Sequence, residues 1–300
     1  MGVLDRCPLT GKSGTVLRIR KPSELAASYA TYFGAPLPDA IVAKYFNTDI
    51  TEYYSAASGL RWYAPADLGD GDYYSTLGGL YPWYYRPASW DKFEALDQLK
   101  GRGRDSVVEM GSGSGWLLDR LRENGVSATG VEINPDAVQD CRKRGLDVLF
   151  PEELDGRIAG CDWLCLLQTI EHVEKPVEFL EKAIRQLNPR FLVMSAPCFE
   201  SLLGYTTDPL SWPPHHATAW SERAFRTLGQ ILNYRVTRVS YSPIGFSGFR
   251  QCLLREKEGR MAGIPEITEG WTGRLRFLAA RLRGRDWARR GHSIFVVLER

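Results

Sequence analysis

The sequence predicts an α/β protein: a mostly parallel sheet covered by helices on both faces, with an aromatic-rich part ahead of it. Three observations lead there. From Ser106 onward, short apolar runs alternate with segments of helical periodicity, the pattern of successive βαβ units. The turn Gly111-Ser112-Gly113-Ser114-Gly115 joins the first apolar run to a helical one. An acid, Glu132, then closes the next apolar run, about twenty residues on.

The elements follow in order. Residues 106–110 read as a buried strand, and the glycine turn opens a helix over about 115–124 with Gly125 as its stop. A second strand spans 128–133. Asn134-Pro135 supplies an N-cap and a proline at the first helical position, where the missing N–H is no loss. That helix runs to Arg144 and Gly145 ends it. Residues 146–150 and 162–167 are the third and fourth strands. Pro176 opens a helix whose Val177, Leu180, Ile184 and Leu187 make one apolar stripe; Asn188-Pro189 stops it, and 191–195 is the fifth strand. Ser221 caps a helix to about Leu232, 234–241 alternates like a strand, and 293–298 is an apolar closing strand.

Residues 1–100 have another character. Most of the 14 tyrosines fall there, so the segment reads as a helical, aromatic extension. Its helices are expected at 23–33, 38–45 and about 89–99, with Gly101 to Arg104 linking it to a main domain at 101–300.

Composition narrows the function. A chain of 300 residues, 44% hydrophobic, can bury one substantial core plus a modest appendage. A formal charge of +2 gives no polycation to grip phosphates over a broad surface, so no nucleic-acid partner is expected. No apolar run approaches the ~20 residues that span a bilayer, and the first residues lack a secretory h-region, so a cytoplasmic location is the expectation. The six cysteines (Cys7, Cys141, Cys161, Cys165, Cys198 and Cys252) form no CxxC pair and read as reduced thiols. No metal site is expected either: the adjacent pair His215-His216 would need a third ligand that the sequence does not single out.

Spacing in the glycine turn separates two cofactor classes. A dinucleotide loop, G-x-G-x-x-G/A, wants a small third residue where helix meets sheet; counted from Gly111, that place holds Trp116, which disfavours NAD or FAD. Here the third glycine comes one residue earlier, in the form E-x-G-x-G-x-G. With it, VVEMGSGSG and GVEINPDAV resemble the first two motifs of the class I S-adenosylmethionine-dependent methyltransferases. LLQTIEHVEKPVEFLEKAIRQLNPRFLVMSAP resembles their fourth strand, helix and fifth strand, in the small-molecule subgroup, and PPHHATAWSERAFRTL the segment beyond. The resemblance covers about 106–241. It implies a Rossmann-like seven-stranded sheet whose last strand inserts antiparallel.

Carried over by position, the resemblance implies that Glu109 and the backbone of Gly111, Ser112, Gly113 and Gly115 surround the methionine end of S-adenosylmethionine. Glu132 would take the ribose hydroxyls and Ile133 the adenine, with Glu152 near the adenine amine and the carbonyl of Gln168 facing the cofactor. It further implies methyl transfer to a small molecule at oxygen, a sugar or other secondary metabolite, or alternatively a quinone or lipid-like phenol. A catalytically silent partner subunit of the same fold is the remaining alternative.

A hydroxyl acceptor benefits from a base, and imidazole suits that role. His172, His215 and His216 are the candidates; in the plainer reading the last two brace a loop against Trp212 and Trp220. Tyr74, Trp83, Tyr84 and Trp90 belong to an aromatic run suited to line an acceptor pocket or to pack the extension onto the sheet. A basic amphipathic insert at about 265–290, carrying Arg274 to Arg290, reads as a solvated helix, a membrane-surface contact or a cover for a phosphorylated substrate.

Overall fold

The computed structural model describes residues 5–85, 88–201, 208–244 and 271–300. In chain order the described strands are β1 (Thr15–Arg20), β2 (Ile50–Tyr54), β3 (Arg61–Ala64), β4 (Ser106–Met110), β5 (Ser127–Val131), β6 (Val148–Leu149), β7 (Trp163–Leu167), β8 (Phe191–Pro197), β9 (Thr218–Ala219), β10 (Arg235–Tyr241) and β11 (Ser293–Glu299). The helices are α1 (Pro22–Phe33), α2 (Asp39–Tyr45), α3 (Gly71–Leu80), α4 (Trp90–Leu99), α5 (Trp116–Glu123), α6 (Pro135–Lys143), α7 (Pro176–Leu187), α8 (Glu222–Leu232), α9 (Trp271–Leu282) and α10 (Asp286–Arg289).

Seven strands form the main sheet in the order β10-β11-β8-β7-β4-β5-β6. β4 to β8 run parallel, and β11 inserts antiparallel between β8 and β10, as the resemblance implied. Because side chains alternate along a strand, each strand feeds two cores. Val108, Met110, Leu164 and Leu166 pack on the side of α7 and α8. Val107, Trp163, Cys165 and Leu167 pack on the other side with Ala95 and Leu99 of α4 and Leu117 and Leu121 of α5. Covering both faces is what allows these strands to read as continuous apolar runs.

Local chemistry sets the helix ends. The Asn134 side chain accepts from the amides of Asp136 and Ala137, and Ser221 accepts from Ala224. Asn188 and Asn233 take left-handed backbone angles (φ 46° and 59°) and end α7 and α8. The third glycine of the turn is required for packing: at Gly115 (φ +70°) a Cβ would lie 2.7 Å from both Cys141 Sγ and Leu146 Cδ1. The five described cysteines are buried free thiols; Cys252 lies outside the described residues.

The N-terminal part corrects the expectation of a purely helical extension. β1, β2 and β3 form an antiparallel sheet, and β9, from beyond the fifth parallel strand, completes it. β1 is exposed along nearly its whole length, so no inward-facing apolar row marks it in the sequence, and β3 is only four residues long. α3 was also unread, its GDYYSTLGGL sequence being poor in helix formers. Around this sheet Leu25, Tyr29, Tyr45, Tyr73, Leu77, Tyr81 and Trp212 make a separate aromatic core.

The basic stretch is two helices, α9 and α10, and its residues 265–270 lie outside those described. Phe277 is buried, whereas Trp271, Leu275, Leu278 and Leu282 are exposed, so most of the apolar stripe is not packed against described residues. No described helix is long and apolar enough to cross a membrane.

The small sheet and the main domain are joined through Ser221, whose hydroxyl caps α8 and donates to the Gly59 carbonyl at 2.7 Å. Ser221→Ala removes both bonds, and we expect a loss of about 1–2 kcal/mol in urea unfolding with the m-value unchanged.

Candidate active site

The site lies where the parallel strands end, the edge at which open α/β sheets bind ligands. β4 leads into the glycine turn and β5 into Glu132. Glu132 is buried, and its carboxylate accepts three backbone amides: Gly113 at 2.7 Å, Ile133 at 2.8 Å and Asn134 at 2.8 Å. One side chain thus ties the turn to the end of the neighbouring strand. Gly111 approaches Thr169 so closely that a Cβ would collide with its hydroxyl, and Tyr85 lies over Gly113 while its hydroxyl accepts from Asn134 Nδ2 at 2.8 Å.

Glu109 has the opposite circumstance. It is fully buried, and among the described residues neither carboxylate oxygen has a hydrogen-bond partner. Burial pushes its pKa up to about 8; Lys92 opposes this, and Asp91 and Glu132 add to it. The hydroxyls of Ser112 and Ser114 in the turn are likewise buried without partners. Orphaned acceptors around a glycine cradle fit a ligand that brings its own cationic and hydrogen-bonding groups.

On the other side of the turn, three histidines meet. His172 follows β7 in a 3-10 turn, and His215 and His216 follow β8 in the Pro213-Pro214 loop. Their ring centroids are 4.5 to 4.9 Å apart. His172 Nδ1 lies 2.6 Å from the His215 carbonyl and 3.0 Å from the Tyr74 hydroxyl; His215 Nδ1 contacts the Leu210 carbonyl, and its Nε2 lies 2.7 Å from the Tyr84 hydroxyl. Burial lowers all three: His172 to about 4, partly offset by the carbonyls of His215 and Gln168, and the other two well below the usual value.

One ring nitrogen from each histidine lies within 4.8 Å of the others, a set that can hold a divalent cation. Glu171, buried with both oxygens unpartnered, has its carboxylate 4.0 Å from His172 Nε2. The expectation of no metal site rested on a missing third ligand. The fold supplies one from 43 residues upstream, His172.

Residues 83–239, just over half of the chain, match the family described as "Methyltransferase domain". The chain belongs to that methyltransferase family. A crystal structure of a SAM dependent methyltransferase from Archaeoglobus fulgidus superposes with a TM-score of 0.51 at 17% identity, covering 74% of this chain and 99% of that one, which shows the shared class I fold. Among curated proteins, a small RNA 2'-O-methyltransferase of Arabidopsis thaliana is 27% identical over 201 residues, 54% of this chain and 21% of its own. A ubiquinone biosynthesis O-methyltransferase of Methylococcus capsulatus is 27% identical over 154 residues, 48% of this chain and 60% of its own. The chain thus spans about a fifth and three fifths of the lengths of these two relatives.

The structure brings some of the candidates read from the sequence together and separates others. Glu109, Gly111, Ser112, Gly113, Gly115 and Glu132 surround one cradle, and Ile133, half-exposed, borders it. Gln168 has a left-handed backbone (φ 53°), a strain on the order of 1–3 kcal/mol for a non-glycine residue. Its side chain turns to Ser195 and Ser293, so only its backbone faces the histidines. Glu152 is exposed on a 3-10 turn; its neighbour Glu153 makes the contacts there, with Arg142 and the Phe150 amide. Tyr74 and Tyr84 reach the histidines. Trp83 stacks on Tyr81 and packs against Phe33, and Trp90 packs edge-on to Phe295, so both indoles belong to core packing.

Residues unread in the sequence also contribute. Asp91, at the start of α4, is buried and accepts from Ser195 Oγ at 2.6 Å; Thr169, Tyr85 and Glu171 join it at the sheet edge. The EH pair at 171–172 was the available signal for Glu171, whereas nothing local marks Asp91.

Glu109 gives the protein a pH signature. Its folded pKa is raised, so below about pH 4.5 both states are protonated; from there to about pH 8 only the unfolded state ionises, and stability falls. Glu109→Gln lacks that fall. In urea unfolding without ligand, we expect the variant to gain on the wild type by about 1.4 kcal/mol per pH unit across this window.

Proposed function

We propose that the protein transfers the methyl group of S-adenosylmethionine to a hydroxyl oxygen of a small molecule. The observation that carries the reading is the cradle itself, Glu132 locked onto the glycine turn beside the unpartnered Glu109. Glu109 and the amides from Gly111 to Gly115 would hold the methionine end. Glu132 would take the ribose hydroxyls and Ile133 would lie against the adenine. The cofactor supplies a methyl carbon already activated by a positively charged sulfur.

In the reaction the sulfur–carbon bond breaks as the oxygen–carbon bond forms, and the acceptor hydroxyl gives up its proton. The protein's share is to align the oxygen with the methyl group and to receive or relay that proton. His172, His215 and His216, with Tyr74 and Tyr84 bonded to two of them, border the place for the acceptor. The same nitrogens with Glu171 are suited to a divalent cation. Oxygen as the acceptor atom is supported by the names of both curated relatives, which are O-methyltransferases. A sugar or other secondary metabolite is the first acceptor class and a quinone or lipid-like phenol the second. The near-balanced charge favours either over nucleic acid.

Calorimetric titration with S-adenosylhomocysteine, with NADH as control, tests the cofactor assignment. The expected result is binding of the first alone, weakened about tenfold or more in Glu132→Ala, as loss of a charge-assisted bond implies. Equal affinity in the variant would overturn the ribose role of Glu132, and binding of NADH alone would overturn the reading. Labelled methyl donor with and without a chelator then separates the histidine roles: loss of turnover that Zn²⁺ or Mn²⁺ restores assigns them to a metal, and unchanged turnover excludes one.

A further inference from the structure

We propose that the small N-terminal sheet forms a binding site for an anionic group, a carboxylate or phosphate, on the methyl acceptor. This rests on the acceptor lying beside the histidines, as argued above, and adds the charge of that acceptor. Arg18 of β1, Glu52 of β2 and Tyr63 of β3 occupy one cross-strand row, so their side chains share one face of the sheet; Arg20 and Arg61, two residues away along their strands, share it too. These strands precede residue 83 and lie outside the family match.

Charge on this face is unbalanced. Arg18 and Arg61 both pair with the buried Glu52, Arg61 at 3.3 Å, so one carboxylate serves two guanidiniums. Arg20 is the third cation; burial and the neighbouring Arg18 lower its pKa, and the acids acting on it are Glu52 and, weakest, Glu24. Trp212 lies under Arg18 and Arg20 at 4.9 and 5.0 Å, and Phe199 under Arg61 at 4.0 Å. Aromatic rings on one side leave the edges of the guanidinium planes to donate, the orientation that binds oxyanions.

One donor is left over. Among the described residues Arg61 Nε is buried and has no partner, and a buried donor of this kind calls for an acceptor. The face opens on a cavity of about 20 Å³ whose lining includes Arg18, Arg61, Tyr63, Trp212 and His216 together with the one carboxylate, Glu52, already engaged by both arginines. That space takes about one water-sized group, such as a single oxygen of an anionic group reaching in from the open side. His216 belongs both to this lining and to the histidine cluster, so a group held by the arginines places the rest of the acceptor against the histidines. The small cavity favours a discrete acid over a polymer. The arginines of α9 and α10, considered for a phosphorylated substrate from the sequence, do not line it.

The test is calorimetric titration of the full chain, saturated with S-adenosylhomocysteine, with benzoate, phenyl phosphate, inorganic phosphate and neutral benzyl alcohol. The expected result is binding of one or both aromatic anions and none of benzyl alcohol. Preference for benzoate or for phenyl phosphate distinguishes a carboxylate acceptor from a phosphate one. Arg18→Met and Arg61→Met should weaken the anion about tenfold or more and leave S-adenosylhomocysteine affinity unchanged, since neither touches the glycine turn. Because Arg61→Met strips a cation from buried Glu52, Arg61→Lys is the companion: it keeps the charge, lacks the fork, and should show the same loss.

Equal affinity for charged and neutral probes, or unchanged affinity in all three variants, overturns the proposal. Tighter binding of a short RNA than of phenyl phosphate, lost in Arg61→Lys, overturns its small-molecule form. A chain that binds the anion but not S-adenosylhomocysteine supports the anion site and counts against the methyltransferase reading alone.

Discussion

Four acidic side chains, Asp91, Glu109, Glu132 and Glu171, are buried near the carboxyl edge of the main sheet. Ionised carboxylates away from water are costly unless donors or cations meet them. Glu132 is met by three amides and Asp91 by the Ser195 hydroxyl. Glu109 and Glu171 are met by neither, and both are driven toward their neutral forms. The protein therefore keeps two acceptors in reserve at the edge where its strands stop. A ligand bearing positive charge that satisfied Glu109 would make binding and folding draw on the same group, since ligand that binds only the folded chain stabilises it.

What was legible in the sequence was local. The strand at 106–110, the glycine turn, the Asn134-Pro135 start and the stripe of α7 each depend on residues within a few positions of one another, and the structure has each where it was read. The closing strand was legible through its unbroken apolar run. The joining of His172 to His215 and His216 was not, because the ring contacts bridge 43 residues and depend on how β7 and β8 lie side by side. The small sheet escaped for a physical reason as well: TVLRIR alternates, but its first strand buries neither face, so the alternation lacks the apolar row that marks a half-buried strand. Aromatic composition alone could not sort Tyr74 and Tyr84 from Trp83 and Trp90. Sorting them required knowing which rings had polar partners within reach.

The N-terminal hundred residues are more than a preface to the sheet. A cut at residue 100 would sever the β3–β9 pairing, the Ser221–Gly59 bond and the contacts of Tyr74 and Tyr84 with the histidines. Each crosses from the early segment to the region after β7 or β8. The division of labour we infer therefore runs across the strand ends: the glycine turn and Glu132 on one side for the donor, and the small sheet with the histidines on the other for the acceptor. In that proposed division, variation in the small sheet would alter the acceptor side, whereas Tyr85 and Asp91 of the same hundred residues belong with the donor cradle.

The histidines themselves limit the mechanism. An imidazole that takes a proton only near pH 4 is a weak general base for a hydroxyl at neutral pH. Burial pushes Glu171 beside it toward its acid form as well. Burial favours the neutral arrangement, acid beside imidazole, over the charged one. An acceptor oxygen developing negative charge next to His172 would favour the charged arrangement instead, because imidazolium formation then places a cation beside it. The proton need not leave before the methyl group arrives. In the proposed reaction the larger requirement would be geometric, and the carbonyls of His215 and Leu210 and the two tyrosine hydroxyls fix the rings that would border the acceptor oxygen.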